Sequence, residues 1–199
     1  MQRLVPVLLV IWVAAGVGVA AYLYSRSEPG LPVIGELPAF SLTERGGRPV
    51  GLGDLRGRVW VAGFIFTRCA GTCPRMISAM SELQEKTASR PEVTLICISV
   101  DPEYDTPERL REYAELAGAD PKRWLFLTGD REEIYALARQ HFRLSVGGPG
   151  SQEEPILHSS MLALVDGGGR IRGYYDGTDA EATARLLRDI ARLKRERRS

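Results

Sequence analysis

Apolar residues are distributed unevenly along the chain, with one long uncharged segment near the N-terminus and shorter apolar runs after it. Residues 4–24 form that segment and read LVPVLLVIWVAAGVGVAAYLY. A helix rises ~1.5 Å per residue, so a segment of this length can cross a bilayer. We predict one transmembrane helix within residues 1–25, which would act as a membrane anchor. A cleaved signal peptide is the alternative, because Val19-Ala20-Ala21 offers the small residues that cleavage needs.

Proline and glycine mark the boundary between this segment and a folded domain. Residues 26–37 are rich in both and predict a linker. We expect the domain at residues 38–194 and a short basic tail at residues 195–199. Glu44-Arg45-Gly46-Gly47 lies between two short apolar runs, which is the pattern of a β-hairpin at the start of the domain.

Strand and helix patterns then alternate to the end of the domain. Continuous apolar runs predict buried strands, and apolar residues three and four apart predict helices. Residues 146–155, VGGPGSQEEP, are predicted to be a long loop. The predicted strands are at 59–66, 93–100, 124–127, 159–165 and 170–175, and the predicted helices begin at residues 74, 107, 131 and 180.

This order predicts an α/β fold in which helices cover both faces of one sheet. Parallel strands followed by an antiparallel hairpin and a last helix are the thioredoxin-like arrangement. We therefore predict a thioredoxin-like fold with an N-terminal β-hairpin, preceded by one transmembrane helix.

Composition and charge narrow the class of protein further. Hydrophobic residues make up 44% of the chain and charged residues 26%, which is typical of a domain with a buried core. The net charge is +1, so the chain lacks the basic footprint of a nucleic-acid-binding protein. Basic residues are nevertheless concentrated near the C-terminus. They indicate either a solvated helix end or contact with anionic lipid or an acidic partner.

Two cysteines, Cys69 and Cys73, follow the first buried strand and precede Pro74, where a helix begins. Unpaired amides and the dipole at a helix N-terminus favour a thiolate over a thiol. The four-residue spacing lets both sulfur atoms converge, which suits a soft metal ion or a reversible disulfide. A structural disulfide is a weaker alternative, because closing so short a loop adds little stability. Zinc is also weaker, since no second pair of ligands has zinc-finger spacing.

His158 is the third candidate ligand. It lies directly before the strand predicted at 159–165, and in a thioredoxin-like sheet the start of that strand faces the cysteine loop. Two thiolates and one imidazole form a soft ligand set, which favours Cu(I) and also accepts Cu(II). The other histidine, His141, ends a helical pattern and is interpreted as a structural or surface residue.

Three sulfur-containing residues are interpreted as packing residues. Cys97 lies in the middle of a buried strand, where a free cysteine behaves as a small hydrophobic side chain. Met76 and Met161 are spaced three residues after Cys73 and His158, so they could supply thioether ligands. Core packing is the interpretation that we favour for both methionines.

Four features together resemble the Sco/SenC family of copper-binding cytochrome oxidase assembly proteins. FTRCAGTCP at residues 66–74 is similar to the family's Cys-X3-Cys-Pro motif, and SVDPEYDTPE at residues 99–108 is similar to its Asp-Pro and Asp-Thr-Pro stretch. The third feature is His158 ahead of a strand that ends in Leu164-Val165-Asp166. The fourth is the N-terminal anchor.

The resemblance implies that Cys69, Cys73 and His158 are copper ligands. It implies a domain on the outer side of a membrane, in the bacterial periplasm or the mitochondrial intermembrane space. It further implies delivery of copper to the binuclear copper centre of cytochrome c oxidase subunit II, with other copper chaperones or thioredoxin-like reductases as further partners. Asp101 and Asp105 match the acidic motif, which implies a role in supporting the ligands or capping a helix.

Two functions are compatible with these residues. A copper chaperone needs all three ligands, whereas a thiol–disulfide oxidoreductase that reduces the copper-ligand cysteines of the oxidase subunit needs only Cys69 and Cys73. A metallochaperone is favoured over an enzyme. A peroxidase of the peroxiredoxin type is disfavoured, because Phe66 and Ala70 occupy the positions where its Thr-X-X-Cys arrangement requires threonine.

Overall fold

The computed structural model describes Trp12, residues 30–149 and residues 156–196. Except for Trp12, the transmembrane helix predicted within residues 1–25 lies outside these residues. No helix in the described part of the chain is both long and apolar enough to cross a membrane. The chain divides into two compact units, Met1–Gly30 and Leu31–Ser199, and the second contains every strand described below.

The described residues of the second unit form ten strands and five α-helices. The strands are β1 (Gly35–Glu36), β2 (Ser41–Glu44), β3 (Pro49–Gly51), β4 (Val59–Ile65), β5 (Val93–Ser99), β6 (Trp124–Thr128), β7 (Val146–Pro149), β8 (Ile156–His158), β9 (Met161–Val165) and β10 (Arg170–Asp176). The helices are α1 (Leu52–Leu55), α2 (Thr72–Lys86), α3 (Pro107–Leu116), α4 (Arg131–Ala136) and α5 (Ala180–Glu196), and α4 continues as a π-helix at Leu137–His141.

Eight strands form one sheet in the order β1-β10-β9-β4-β5-β6-β2-β3. β4, β5 and β6 are parallel to one another, and the remaining neighbours are antiparallel. The β2–β3 hairpin confirms the one predicted at the start of the domain. The fold is therefore α/β. Its mixed sheet has parallel strands at the centre and an antiparallel hairpin after them, as in the thioredoxin-like arrangement.

β4 is the strand that leads to the cysteine loop, and all seven of its residues are buried because helices cover both faces of the sheet. Gly63 faces α2, where a Cβ would lie only 3.4 Å from Cε of Met76. Phe64 points to the opposite face, where its ring meets the edge of Phe142 at a centroid distance of 5.2 Å. α2 therefore packs directly against the strand that leads to the cysteine loop.

Two segments differ from the sequence predictions. The predicted loop at 146–155 is wrong for its first part, because Val146–Pro149 pairs with β8 in a second, two-stranded sheet. Gly35–Glu36 lies in the predicted linker but pairs with β10 at the edge of the main sheet. Neither segment has an alternating apolar pattern, so neighbouring backbone and side chains determine its strand conformation.

Candidate metal centre

The cysteine loop and the β7–β8 hairpin bring three ligand atoms together beyond the end of β4. Nε2 of His158 lies 3.3 Å from Sγ of Cys73 and 3.8 Å from Sγ of Cys69. All three ligand atoms lie within 4.8 Å of one another, and all three residues are buried. Within the described ranges, no other group of three His, Cys, Asp or Glu residues could hold a metal ion.

The turn between β4 and α2 positions the two cysteines. α2 begins at Thr72, so Cys73 lies in its first turn. The backbone N–H of Cys73 is directed at Sγ of Cys69, with a distance of 3.5 Å between nitrogen and sulfur. This is the contact that the placement of a cysteine at a helix N-terminus predicts. No disulfide joins Cys69 to Cys73, so the structure does not support the alternative of a structural disulfide.

Burial dominates the electrostatics of Cys73. It raises the pKa of this thiol far above its ordinary value, and a backbone hydrogen bond with Phe66 opposes the shift only in part. At Cys73 the expectation that the helix N-terminus favours the thiolate is therefore wrong for the protein alone, because desolvation outweighs the helix dipole. A cation coordinated by the sulfur would favour the thiolate, since it supplies the positive charge that the buried environment lacks.

His158 ends β8, and its imidazole ring has contacts on two sides. Nδ1 lies 3.3 Å from the carbonyl oxygen of Ser159, so a tautomer with its proton on Nδ1 donates to that oxygen. Such a tautomer directs the Nε2 lone pair toward the two sulfur atoms. Phe66 meets the ring edge-to-face at 5.3 Å and 89°. Sequence reasoning missed Phe66, because nothing distinguishes it from the other apolar residues of its run.

Contacts with α4 and its π-helical extension hold the hairpin that carries His158. Nε of Arg139 donates to the carbonyl oxygen of Val146 in β7 at 2.9 Å. The Tyr135 hydroxyl is itself held by the carbonyl oxygen of Val100, directly after β5, at 3.1 Å. Gly147 has a φ of +75°, and a Cβ there would lie 2.5 Å from Cε2 of Tyr135. Glycine is therefore required at this position, both for its backbone conformation and for its lack of a side chain.

Two buried acidic residues support the cysteine loop. Asp101 accepts a hydrogen bond from Nε of Arg68 at 2.7 Å. Asp105 accepts from the backbone N–H of Thr67 at 3.1 Å and from the hydroxyl groups of Thr67 and Ser99. Neither carboxylate caps α3, because the side chain of Thr106 makes that contact. Asp101 and Asp105 therefore support the cysteine loop and do not cap a helix.

The other candidate residues lie outside the cluster. His141 is half-buried at the end of the π-helix. Cys97 is buried in β5, where its sulfur accepts a hydrogen bond from Nε1 of Trp124 at 3.3 Å and burial raises its pKa to about 12. The side chain of Met76 packs against β4, and Met161 is half-buried at the start of β9. Cys97 and Met76 are thus core residues, as their positions in the sequence predict.

The fold and the site together define a thioredoxin-like protein with a possible metal site made of two cysteines and a histidine. The chain matches the SCO1/SenC family model over residues 34–195. It is 34% identical over 161 residues to the SCO1 protein homolog of Bacillus subtilis. This match covers 80% of this chain and 83% of that protein. The chain therefore belongs to the SCO1/SenC family, as its motifs indicate.

Solved structures of family members have the same fold. BsSco, described as a member of the Sco family of cytochrome c oxidase assembly proteins in which a disulfide switch was identified, matches with a TM-score of 0.74 and 30% identity. That match covers 83% of this chain and 98% of BsSco. The structure of Bradyrhizobium japonicum ScoI with copper bound matches with a TM-score of 0.65 and 29% identity, over 78% of this chain and 98% of ScoI.

Proposed function

We propose that this protein is a copper chaperone that binds one copper ion through Cys69, Cys73 and His158. The observation that carries the proposal is the convergence of the three ligand atoms to within 4.8 Å. Two sulfur atoms and one imidazole nitrogen are ligands that favour Cu(I) and accept Cu(II). The copper-bound structure of ScoI, at 29% identity, supports copper as the metal.

We propose that the copper is delivered to the binuclear copper centre of cytochrome c oxidase subunit II. Membership in the SCO1/SenC family and the similarity to BsSco, an oxidase assembly protein, support this partner. The test is to mix the copper-loaded chain with the copper-free soluble domain of subunit II and to follow copper in each protein after separation. We expect copper to move to subunit II. Copper that stays on the chain would contradict delivery.

The proximity of Cys69 and Cys73, which no disulfide joins, favours a second function, reduction of a disulfide between the copper-ligand cysteines of subunit II. In that reaction a thiolate of the chain attacks one sulfur of the target disulfide and forms a mixed disulfide. The second thiol then displaces the target, which leaves with two reduced thiols while Cys69 and Cys73 become a disulfide. The disulfide switch described for BsSco supports this chemistry.

His158 separates the two functions, because metal binding uses it and disulfide exchange does not. We expect His158→Ala to weaken copper binding and to leave the rate of exchange with a model disulfide largely unchanged. If the variant binds and transfers copper like the wild type, His158 is not a ligand and the proposed three-ligand site fails.

We further propose that residues 1–25 anchor the protein in a membrane and place the folded unit on its outer side, in the bacterial periplasm or the mitochondrial intermembrane space. The uncharged segment at 4–24 supports the anchor. Extraction of cell membranes at alkaline pH tests it, because an inserted helix keeps the protein in the membrane pellet. Release of the intact chain into the supernatant would contradict the anchor.

A further inference from the structure

A buried arginine on β10 connects the first residues of the folded unit to the end of α5. The Arg172 guanidinium donates to the carbonyl oxygens of Leu31 and Pro32 and pairs with Asp166 at 2.8 Å and with Glu196 at 2.7 Å. The backbone N–H of Leu31 donates to Glu196, also at 2.7 Å. This network holds the start of the unit and the C-terminal end of α5 at one place on the domain.

That place lies at the end of the sheet opposite the metal centre. Asp166 directly follows β9, where Val165 pairs with Trp60 near the start of β4. Cys69 follows the other end of β4. β4 has seven residues, and at ~3.3 Å per residue its two ends are about 20 Å apart.

The surface around the Arg172 network combines positive charge with exposed apolar side chains. Residues 188–196 contain four Lys or Arg and two Asp or Glu. Arg188 and Arg195 are exposed on α5. Val33 and Ile34 lie just after the residues bonded to Arg172 and are 50% and 38% exposed. Anionic lipid binds surfaces that present both basic and apolar side chains.

The sequence places this surface close to the uncharged segment. Tyr24 ends that segment, seven residues before Leu31. A fully extended chain spans at most ~3.6 Å per residue, so Leu31 lies within about 25 Å of the end of the segment. A bilayer that holds residues 4–24 is therefore within reach of the basic end of the domain.

We propose that this end of the domain is a docking surface for an anionic lipid bilayer. The inference rests on the membrane anchor in the proposed function and adds a contact between the folded unit and the lipid. Each Lys or Arg near an anionic surface strengthens binding about fivefold, and salt screens the attraction. Docking at this end leaves Cys69, Cys73 and His158 on the far side of the domain, where a partner protein reaches them.

The test uses the full chain in lipid nanodiscs that contain phosphatidylcholine, either alone or mixed with phosphatidylglycerol. Amide hydrogen exchange, measured by mass spectrometry, reports lipid contact at residues 31–37 and 188–196. We expect both segments to exchange about fivefold more slowly when phosphatidylglycerol is present, and the difference to disappear in high salt. Equal exchange in the two lipids would overturn the proposal.

Two matched pairs of substitutions test which charges are responsible. Arg188→Gln with Arg195→Gln removes two exposed charges from the second half of α5, and Arg109→Gln with Arg131→Gln removes two exposed charges from other helices. We expect the first pair to reduce the lipid-dependent difference and the second to preserve it, whereas an equal effect of both would overturn the proposal. Copper titrated into the same samples tests the chaperone proposal separately, because neither pair includes a proposed ligand.

Discussion

Sγ of Cys73 lies 3.3 Å from Nε2 of His158, although 85 positions separate the two residues in the sequence. One residue belongs to the first turn of α2 and the other to the end of β8. The contact therefore exists only when the main sheet and the small β7–β8 hairpin are both in place. Residues that position the hairpin should affect metal binding as well as residues that contact the metal.

Replacing His158 with alanine should weaken copper binding by about 100-fold, because it removes one of three ligands. The thermal unfolding temperature should also fall, because the buried ring loses its contact with Phe66. A competition titration with a Cu(I) chelator measures the affinity. His141→Ala is the matched control, because His141 is the other histidine and lies outside the ligand cluster. Equal losses in the two variants would contradict a specific role for His158.

Gly147→Ala should weaken copper binding about tenfold, because the displaced hairpin carries His158 away from the two sulfur atoms. The new Cβ would lie 2.5 Å from Cε2 of Tyr135 and 2.7 Å from Nη2 of Arg139. Gly148→Ala is the control, since Gly148 also has a positive φ, of +94°, but has open space around its Cα. The same copper titration on both variants separates the steric effect from backbone strain, and equal affinities would contradict the proposed contact.

Asp105→Asn should lower the free energy of unfolding by about 1–3 kcal/mol, because the amide group cannot accept all three hydrogen bonds that the carboxylate accepts. It should also weaken copper binding, since two of these bonds come from Thr67, two residues before Cys69. Urea unfolding and copper titration measure the two effects. Asp130 caps α4 by accepting a hydrogen bond from the backbone N–H of Glu133. Asp130→Asn is expected to be nearly neutral, because asparagine caps a helix as well as aspartate does. A loss of stability with unchanged copper affinity would limit Asp105 to a structural role.

Arg172→Met should lower the free energy of unfolding by about 3 kcal/mol, because it removes the buried partner of Asp166 and of Glu196. Arg170→Met should cost less than about 1 kcal/mol, since Arg170 also pairs with Asp166 but is solvent-exposed. Urea unfolding of both variants measures the difference. Similar losses in the two variants would show that burial of Arg172 does not determine the strength of this network.

The same network predicts how stability depends on pH. Burial by itself would raise the pKa of Asp166, but hydrogen bonds from Arg170 and Arg172 outweigh it and lower that pKa below its ordinary value. Stability from this group is complete above the unfolded pKa of about 3.9 and is lost as the pH falls through the lower folded value. The wild type should therefore lose more stability on acidification than Arg172→Met, and parallel curves for the two proteins would contradict the prediction.

Continuous apolar runs made the centre of the fold predictable from the sequence. β4 and β5 are such runs, and the cysteine pair follows β4 directly, so both cysteines could be placed from neighbouring residues alone. β7 could not be predicted, because Val146–Pro149 is rich in glycine and forms a strand only through contacts with Tyr135, Arg139 and β8. β1 has two residues, which is too short for any pattern.

The metal centre was predictable in part for the same reason. Cys69 and Cys73 share one turn, whereas His158 reaches them through a hairpin whose partner strand the sequence does not indicate. The burial of Cys73 was also missed, because a helix N-terminus at the surface and one inside the domain look identical in sequence. Tertiary packing, rather than spacing, determines whether a cysteine at such a position is a thiol or a thiolate.

Identifying the atoms that bind the metal tests the copper chaperone proposal most directly. X-ray absorption spectroscopy of the chain loaded with one equivalent of Cu(I) should show two sulfur ligands and one nitrogen ligand. Cys69→Ser and Cys73→Ser should each remove a sulfur ligand, and His158→Ala should remove the nitrogen ligand. A wild-type site without nitrogen, or one ligand set shared by all four proteins, would contradict the account.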